Sequence, residues 1–180
     1  MSPQQAVVRA SAQLGRFYRP GLPGPTMQLE SEDPELPAIT IGLRKERRMF
    51  SRSWPLVIES HLAGPGPGEP LQLRYRRRPF RRPGGLEAVG TGPPAEAAEW
   101  ARRFEEASLL EGASEMTSLQ DLSVAWSPGD GRWDLRLQTL AGSMIGTAPG
   151  SSIAVPFEAD DIRGLVRILR AFRRAVPTRP

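Results

Sequence analysis

The chain has 180 residues, of which 24 are Lys or Arg and 20 are Asp or Glu, so its formal net charge is +4. It contains no cysteine, which excludes disulfide bonds, iron–sulfur clusters and zinc–thiolate sites. No run of about 18 apolar residues predicts a transmembrane segment, and the first residues lack the apolar core of a signal peptide. A single Lys among many Arg residues indicates a G+C-rich genome, and we expect a bacterial, cytoplasmic protein.

The N-terminal half is predicted to begin with a helix and to continue as strands. Ser2, Pro3 and Gln5 have the pattern of an N-cap, a first-turn proline and a capping-box residue, which places a helix within residues 1–20. Apolar and polar residues then alternate with the two-residue period of strands. The predicted strands are 26–30, 38–44, 54–62 and 71–78, and residues 79–92 are predicted to be irregular.

The C-terminal half is predicted to hold two helices around a hairpin. Apolar residues at three-four spacing predict one helix over residues 93–111, closed by Gly112. A glycine-rich connection is expected over 142–152, followed by a strand over 153–157. Glu158, Asp160 and Asp161 then open a final amphipathic helix, where acidic residues suit the helix dipole.

Residues 119–140 form the clearest element of the sequence. Two amphipathic strands flank the turn Ser-Pro-Gly-Asp-Gly, which supplies the proline and glycine conformations that a hairpin needs. Trp126 and Trp133 are placed to pack as a cross-strand pair beside this turn. We therefore expect the hairpin to lie against the core, together with Trp100, Phe104, Leu135, Leu165 and Leu169.

The order of elements predicts the fold class. One helix is followed by three or four strands, a helix, two or three strands and a last helix. This order favours an α+β fold with a largely antiparallel sheet that helices cover on one face. We expect one domain over residues 1–180, with the N-terminal helix in 1–20 and a flexible tail at 175–180.

Catalytic signatures are weak throughout. His61 is the only histidine, no Gly-x-Ser-x-Gly motif accompanies it, and it alternates with Glu59 on a polar strand face. The glycines of 142–150 lack the Lys-Ser or Lys-Thr of a phosphate-binding loop. No pair of carboxylates has the spacing of a glycosidase or metal site. We therefore predict no catalytic residue, no cofactor and no metal ligand.

Charge is the feature of the sequence that most strongly suggests a function. Between residues 44 and 82, eleven basic residues face only three acidic ones, which gives this segment a net charge of +8. Such segregation creates a local positive field that attracts anionic partners. The alternative is a strand edge protected from aggregation by charge. The predicted anion-binding candidates are Arg44, Arg48, Arg74, Arg76, Arg78, Arg81 and Arg82.

Two resemblances bear on function. Trp133-Asp-Leu-Arg-Leu, then Gly142-Ser143, Pro156 and an amphipathic final helix, resembles the end of an uncharacterised bacterial family, a domain of unknown function, over the last third of the chain. That resemblance implies bacterial origin and no activity. The order of elements is similar to that of secretion-chaperone-like domains, which dimerise and hold partner segments but are typically acidic.

Three functions are therefore considered. The first is a non-enzymatic binding or adaptor module, chaperone-like and dimeric, whose partner is another protein or a second copy of itself. The second is a nucleic-acid or other polyanion binder that uses the arginines between residues 44 and 82. The third is a hydrolase that uses His61.

Overall fold

The computed structural model describes residues 1–47, 52–76, 84–89, 93–148 and 151–177. Within these ranges the chain forms four helices and ten strands. The helices are α1 (Pro3–Gln13), α2 (Pro94–Glu106), α3 (Leu109–Glu115) and α4 (Ala159–Ala175). The strands are β1 (Arg19–Pro20), β2 (Thr26–Glu30), β3 (Ile39–Leu43), β4 (Glu46–Arg47), β5 (Arg52–Ala63), β6 (Leu71–Arg76), β7 (Gly85–Ala88), β8 (Leu119–Ser127), β9 (Arg132–Ala148) and β10 (Ser151–Ala154).

The strands of these ranges form one antiparallel sheet. Its main path has the order β1-β2-β3-β5-β9-β8-β6-β7, while β4 pairs with β5 and β10 pairs with β9. Every pairing in the described part of the chain is antiparallel. The predicted α+β class with a largely antiparallel sheet is therefore confirmed.

One face of the sheet carries the core. Ile41, Ile58, Leu137 and Leu122 are neighbours across β3, β5, β9 and β8, and all four are buried. They belong to one cluster of buried side chains that also takes in residues from all four helices. The helices therefore cover the same sheet face, because their apolar sides share this core. None of the helices in the described ranges has the length and apolar character that crossing a membrane requires.

The predicted hairpin is confirmed. Trp126 of β8 lies opposite Trp133 of β9, and their ring centroids are 5.3 Å apart. Both indole N–H groups donate to carbonyls of the β5–β6 loop, Trp126 to Pro67 at 2.8 Å and Trp133 to Pro65 at 2.9 Å. These bonds satisfy the buried polar ends of both rings. The other predicted core residues are also buried: Trp100, Phe104, Leu135, Leu165 and Leu169.

The start of the chain follows its prediction more closely than the middle does. The hydroxyl of Ser2 accepts from the Gln5 amide, and the Gln5 side chain accepts from the Ser2 amide, so the capping box is confirmed. The predicted single helix over 93–111 is wrong, because Ser108 takes a left-handed conformation with φ 72° and separates α2 from α3. Gly112 consequently lies inside α3, where it packs against Gly164 of α4.

Two regions predicted to be irregular contain strands. Residues 142–148 continue β9, because they pair with the first residues of β5 on one side and with β10 on the other. Gly142, with φ +75°, lies in the stretch where the pairing of β9 with β5 shifts its register. Residues 85–88, within the predicted irregular segment 79–92, pair with β6 as β7. The last predicted strand begins earlier than expected, since β10 starts at Ser151.

The last helix, α4, forms ion pairs with the connection between β2 and β3. The side chain of Glu158 caps the helix together with Asp161, as the acidic start predicts. Near the other end, Arg170 contacts Asp33 at 2.8 Å and Arg174 contacts Glu35 at 2.9 Å. The hydrogen bond from Arg170 lowers the pKa of Asp33 below its usual value. Val176, within the predicted flexible tail, is buried, and residues 178–180 lie outside the described ranges.

Candidate functional site

The second face of the sheet is polar, and we call it the open face. Its side chains alternate with the core residues, and most of them are half-buried or exposed. The strand pairings place these residues in continuous rows across the sheet. The open face comprises Thr26, Gln28, Thr40, Gly42, Arg44, Glu46, Val57, Glu59, His61, Gln72, Arg74, Arg76, Glu87, Asp121, Ser123, Ala125, Arg132, Asp134, Arg136 and Gln138.

Opposite charges are paired along the central row of this face. Arg136 Nε lies 3.7 Å from Glu59 Oε1 on the neighbouring strand β5. Arg74 Nε donates to Asp121 Oδ1 at 2.7 Å, and this bond raises the pKa of Arg74. Because these side chains are roughly half exposed, each pair contributes about 0–1 kcal/mol to stability. The pairs therefore shape the charge of the surface more than they stabilise the fold.

The predicted anion-binding arginines have different environments. Arg74 and Arg76 both project from β6, and each lies beside a carboxylate, since Arg76 Nε is 3.6 Å from Glu87. Arg44 is exposed, and it makes no ion pair with the residues that the structure describes. The remaining four candidates lie outside the described residues: Arg48, Arg78, Arg81 and Arg82. No cluster of the described candidates is formed.

A depression of about 190 Å³ lies where β2, β3, β5 and β9 are adjacent on the open face. Gly42 is part of its wall and has no side chain to fill it. The other walls combine polar, charged and apolar groups. They are Thr26, Thr40, Leu43, Arg44, Val57, Glu59 and Arg136.

His61 lies at one end of the open face. Its Nδ1 is 2.5 Å from Asp134 Oδ1, and the same oxygen forms an ion pair with Arg132, whose Nε is 2.9 Å away. No hydroxyl group in the described ranges is hydrogen-bonded to the imidazole. The side chain is 48% exposed. A Ser-His-Asp mechanism also requires a nucleophilic serine beside the histidine, and the described residues place none in hydrogen-bonding contact with His61.

A second cavity, of about 470 Å³, lies between the β5–β6 loop and α2. Trp100 and Glu99 are among its walls, but both already contact arginine side chains of α2. The Arg103 guanidinium lies 4.6 Å from the centre of the Trp100 ring, and Glu99 accepts from Arg102 and Arg103. This cavity therefore offers few free polar groups to a ligand.

Comparisons with protein-family models, curated proteins and solved structures found no match. A search of the described residues for three or more His, Asp or Glu side chains placed to hold a metal ion also found none.

Most residues of the open face were predicted from the sequence only as the polar sides of strands. Asp121, Asp134 and Arg136, for example, alternate with the apolar residues of the hairpin, but the sequence indicated no partner for them. The signal that exists is their alternation with buried residues, which places them opposite the core. Their pairing with Arg74, His61 and Glu59 depends on strand order, which alternation alone does not specify.

Proposed function

We propose that this protein is a non-enzymatic binding module that holds a segment of a protein partner on its open face. The observation that carries the proposal is the charge balance of that face. Five basic and five acidic side chains share it in the described ranges, and their formal charges cancel. The basic residues are Arg44, Arg74, Arg76, Arg132 and Arg136, and the acidic ones are Glu46, Glu59, Glu87, Asp121 and Asp134.

A balanced surface suits a protein better than a polyanion. A nucleic acid is attracted by unpaired positive charge, and its affinity comes largely from neutralised phosphates. On the open face, Arg74 and Arg136 would first have to leave Asp121 and Glu59, which repel phosphate. A protein segment with both charge signs can instead exchange partners with these pairs. Charged pairs of this kind favour specificity and fast association more than tight binding.

The module is proposed to act as chaperone-like domains do, by holding a partner segment without changing it. The partner is a different protein or a second copy of this chain. Both fit the same surface, because a two-fold axis through a charge-balanced face would place basic groups of one copy against acidic groups of the other.

Photo-crosslinking tests the proposal. A photoreactive amino acid replaces Gln72, which is exposed on the open face, and in a control protein it replaces Glu105, which is exposed on α2. Adducts with a discrete protein should form at position 72 and not at position 105. The adduct protein is then purified and titrated against the unmodified chain to measure a dissociation constant. Equal adducts at both positions, or no binding by the purified protein, would contradict the proposal.

The polyanion alternative has its own test. Titration with mixed DNA and RNA at low salt measures binding, and about four phosphate contacts would give a log–log salt slope near −3 to −4. Replacing Arg74, Arg76 and Arg78 by Gln would then flatten this slope by about 3. The protein-binding proposal expects no nucleic-acid binding at about 50 mM salt, where phosphate contacts remain strong.

A further inference from the structure

The depression on the open face owes its shape to Gly42. A Cβ added at this position would lie only 2.9 Å from Thr26 Cγ2 and 3.5 Å from the Pro25 carbonyl oxygen. The space above the glycine backbone is therefore bounded by the neighbouring strand β2. Val57, next to Gly42 on β5, is only 9% exposed although it points away from the core. Gly42 and Val57 therefore form a largely buried floor beneath a depression that is open to solvent.

The walls of the depression carry a net formal charge of +1. Arg136 and Glu59 offset one another across 3.7 Å, a separation longer than a hydrogen bond. Arg44 has no carboxylate to offset it in the described part of the chain. Thr26 and Thr40 add hydroxyl groups that can donate hydrogen bonds. The depression therefore has more donors than acceptors.

We propose that this depression is a subsite for a carboxylate side chain, Asp or Glu, of the partner segment. This inference rests on the proposed function and names the chemistry of one contact in it. A single negative charge balances the unpaired charge of Arg44. The planar fork of a guanidinium matches a carboxylate with two parallel hydrogen bonds.

The size of the depression agrees with this occupant. Its volume of about 190 Å³ has room for an acidic side chain of four or five heavy atoms. Glu59 also disfavours a doubly charged group such as phosphate, because a second negative charge would face its carboxylate. Charge, and not size, therefore favours a singly charged side chain over a phosphate.

Two synthetic peptides provide the probe. One is an acetylated and amidated Thr-Val-Glu-Val-Thr, whose alternation favours a strand, and the other replaces its Glu by Gln. NMR titration of the full chain follows the arginine Nε–H signals and the backbone amides of β3. The Glu peptide should bind at least ten times more tightly than the Gln peptide. It should also shift the signals of Arg44 and Arg136.

Variants decide whether the depression is responsible. Arg44→Gln should reduce the affinity for the Glu peptide to that for the Gln peptide, while Arg44→Lys should recover part of it. The matched control is Arg9→Gln, which removes an exposed arginine from α1, outside the open face, and should leave the affinity within twofold of the wild type. Far-UV circular dichroism confirms that each variant is folded.

Three results would overturn the inference. They are equal binding of the two peptides, an unchanged affinity after Arg44→Gln, and tighter binding of inorganic phosphate than of the Glu peptide. Any of these would leave the proposed function standing if crosslinking at position 72 still captures a partner that binds when purified. Loss of the crosslinks together with selective Glu-peptide binding would instead contradict the proposed function and retain the subsite.

Discussion

Replacing Trp133 by Ala should destabilise the protein more than any other single truncation in the hairpin. The side chain is fully buried, and its ring centroid lies 4.4 Å from that of Trp100, 5.5 Å from Phe104 and 5.3 Å from Trp126. Truncation of a buried Trp costs about 3–5 kcal/mol, through lost burial and the cavity that remains. That is a large part of the 5–15 kcal/mol by which domains are typically stable, at about 25 °C.

Urea unfolding followed by far-UV circular dichroism measures this loss without relying on tryptophan fluorescence. With an m-value of about 2 kcal/mol/M, a loss of about 4 kcal/mol lowers the midpoint by about 2 M. Trp133→Phe keeps an aromatic ring but removes the N–H donor to Pro65. It should therefore cost about 1–3 kcal/mol, because it removes that hydrogen bond and leaves part of the buried ring volume empty.

The matched control is Trp54→Ala, which removes the same type of side chain from a half-buried position on β5. Its effect should be clearly smaller than that of Trp133→Ala. Equal losses for the two variants, or a loss below about 1 kcal/mol for Trp133→Ala, would refute the packing argument, since buried large-to-small changes cost more than that.

Three further predictions concern packing, pH and chemistry. Gly164→Ala should lower the unfolding free energy although alanine favours a helix by about 1 kcal/mol, because its Cβ would lie 2.7 Å from the carbonyl oxygen of the facing glycine in α3. Urea unfolding measures this loss of free energy, and the control is Gly85→Ala, because an added Cβ at that position meets nothing within 4 Å. Because Arg170 lowers the folded-state pKa of Asp33, their contact stabilises the fold above the unfolded-state pKa and is lost as the pH falls through the folded-state value. Asp33→Asn should thus lower the melting temperature at neutral pH but hardly at pH values below the folded-state pKa, and equal losses at both would contradict the linkage. His61→Ala should leave the fold intact by circular dichroism, whereas loss of a hydrolytic activity in that variant would restore the hydrolase hypothesis.

The sequence was sufficient to predict which side of each strand faces the core. Trp126, Trp133 and Leu135 alternate with polar residues, and burial of one face follows from that period alone. The N-terminal capping box was equally visible, because its signal lies within four residues. These features depend on local sequence, so no knowledge of strand order was needed.

Features that depend on tertiary context were missed. The helical spacing of apolar residues continues through Ser108, so the left-handed residue that separates α2 from α3 gave no signal. Similarly, glycine is typical of helix ends, but in the structure Gly112 lies inside α3 and allows α3 to approach α4 closely. At Gly112, packing against α4 outweighs local preference, and that packing is set by distant residues.

The pairing of charges on the open face could not be predicted from the sequence for the same reason. Counted along the chain, residues 44–82 carry an excess of arginine, which indicates a positive surface. In the folded sheet, Arg74 and Arg76 meet acids from β8 and β7, which lie outside or at the far edge of that segment. Asp121 is distant from Arg74 in sequence and becomes its neighbour only through the pairing of β6 with β8. A linear charge count therefore overstates the field of a mixed sheet.

The most direct test of the central claim uses two tyrosine substitutions and the partner that crosslinking identifies. Ser123→Tyr places a bulky side chain in the central row of the open face, between Arg136 and Arg74. Glu105→Tyr places the same side chain on the exposed surface of α2. Isothermal titration calorimetry with the purified partner should show affinity at least ten times weaker for Ser123→Tyr and unchanged for Glu105→Tyr. Wild-type affinity for Ser123→Tyr, or a loss confined to Glu105→Tyr, would contradict the account.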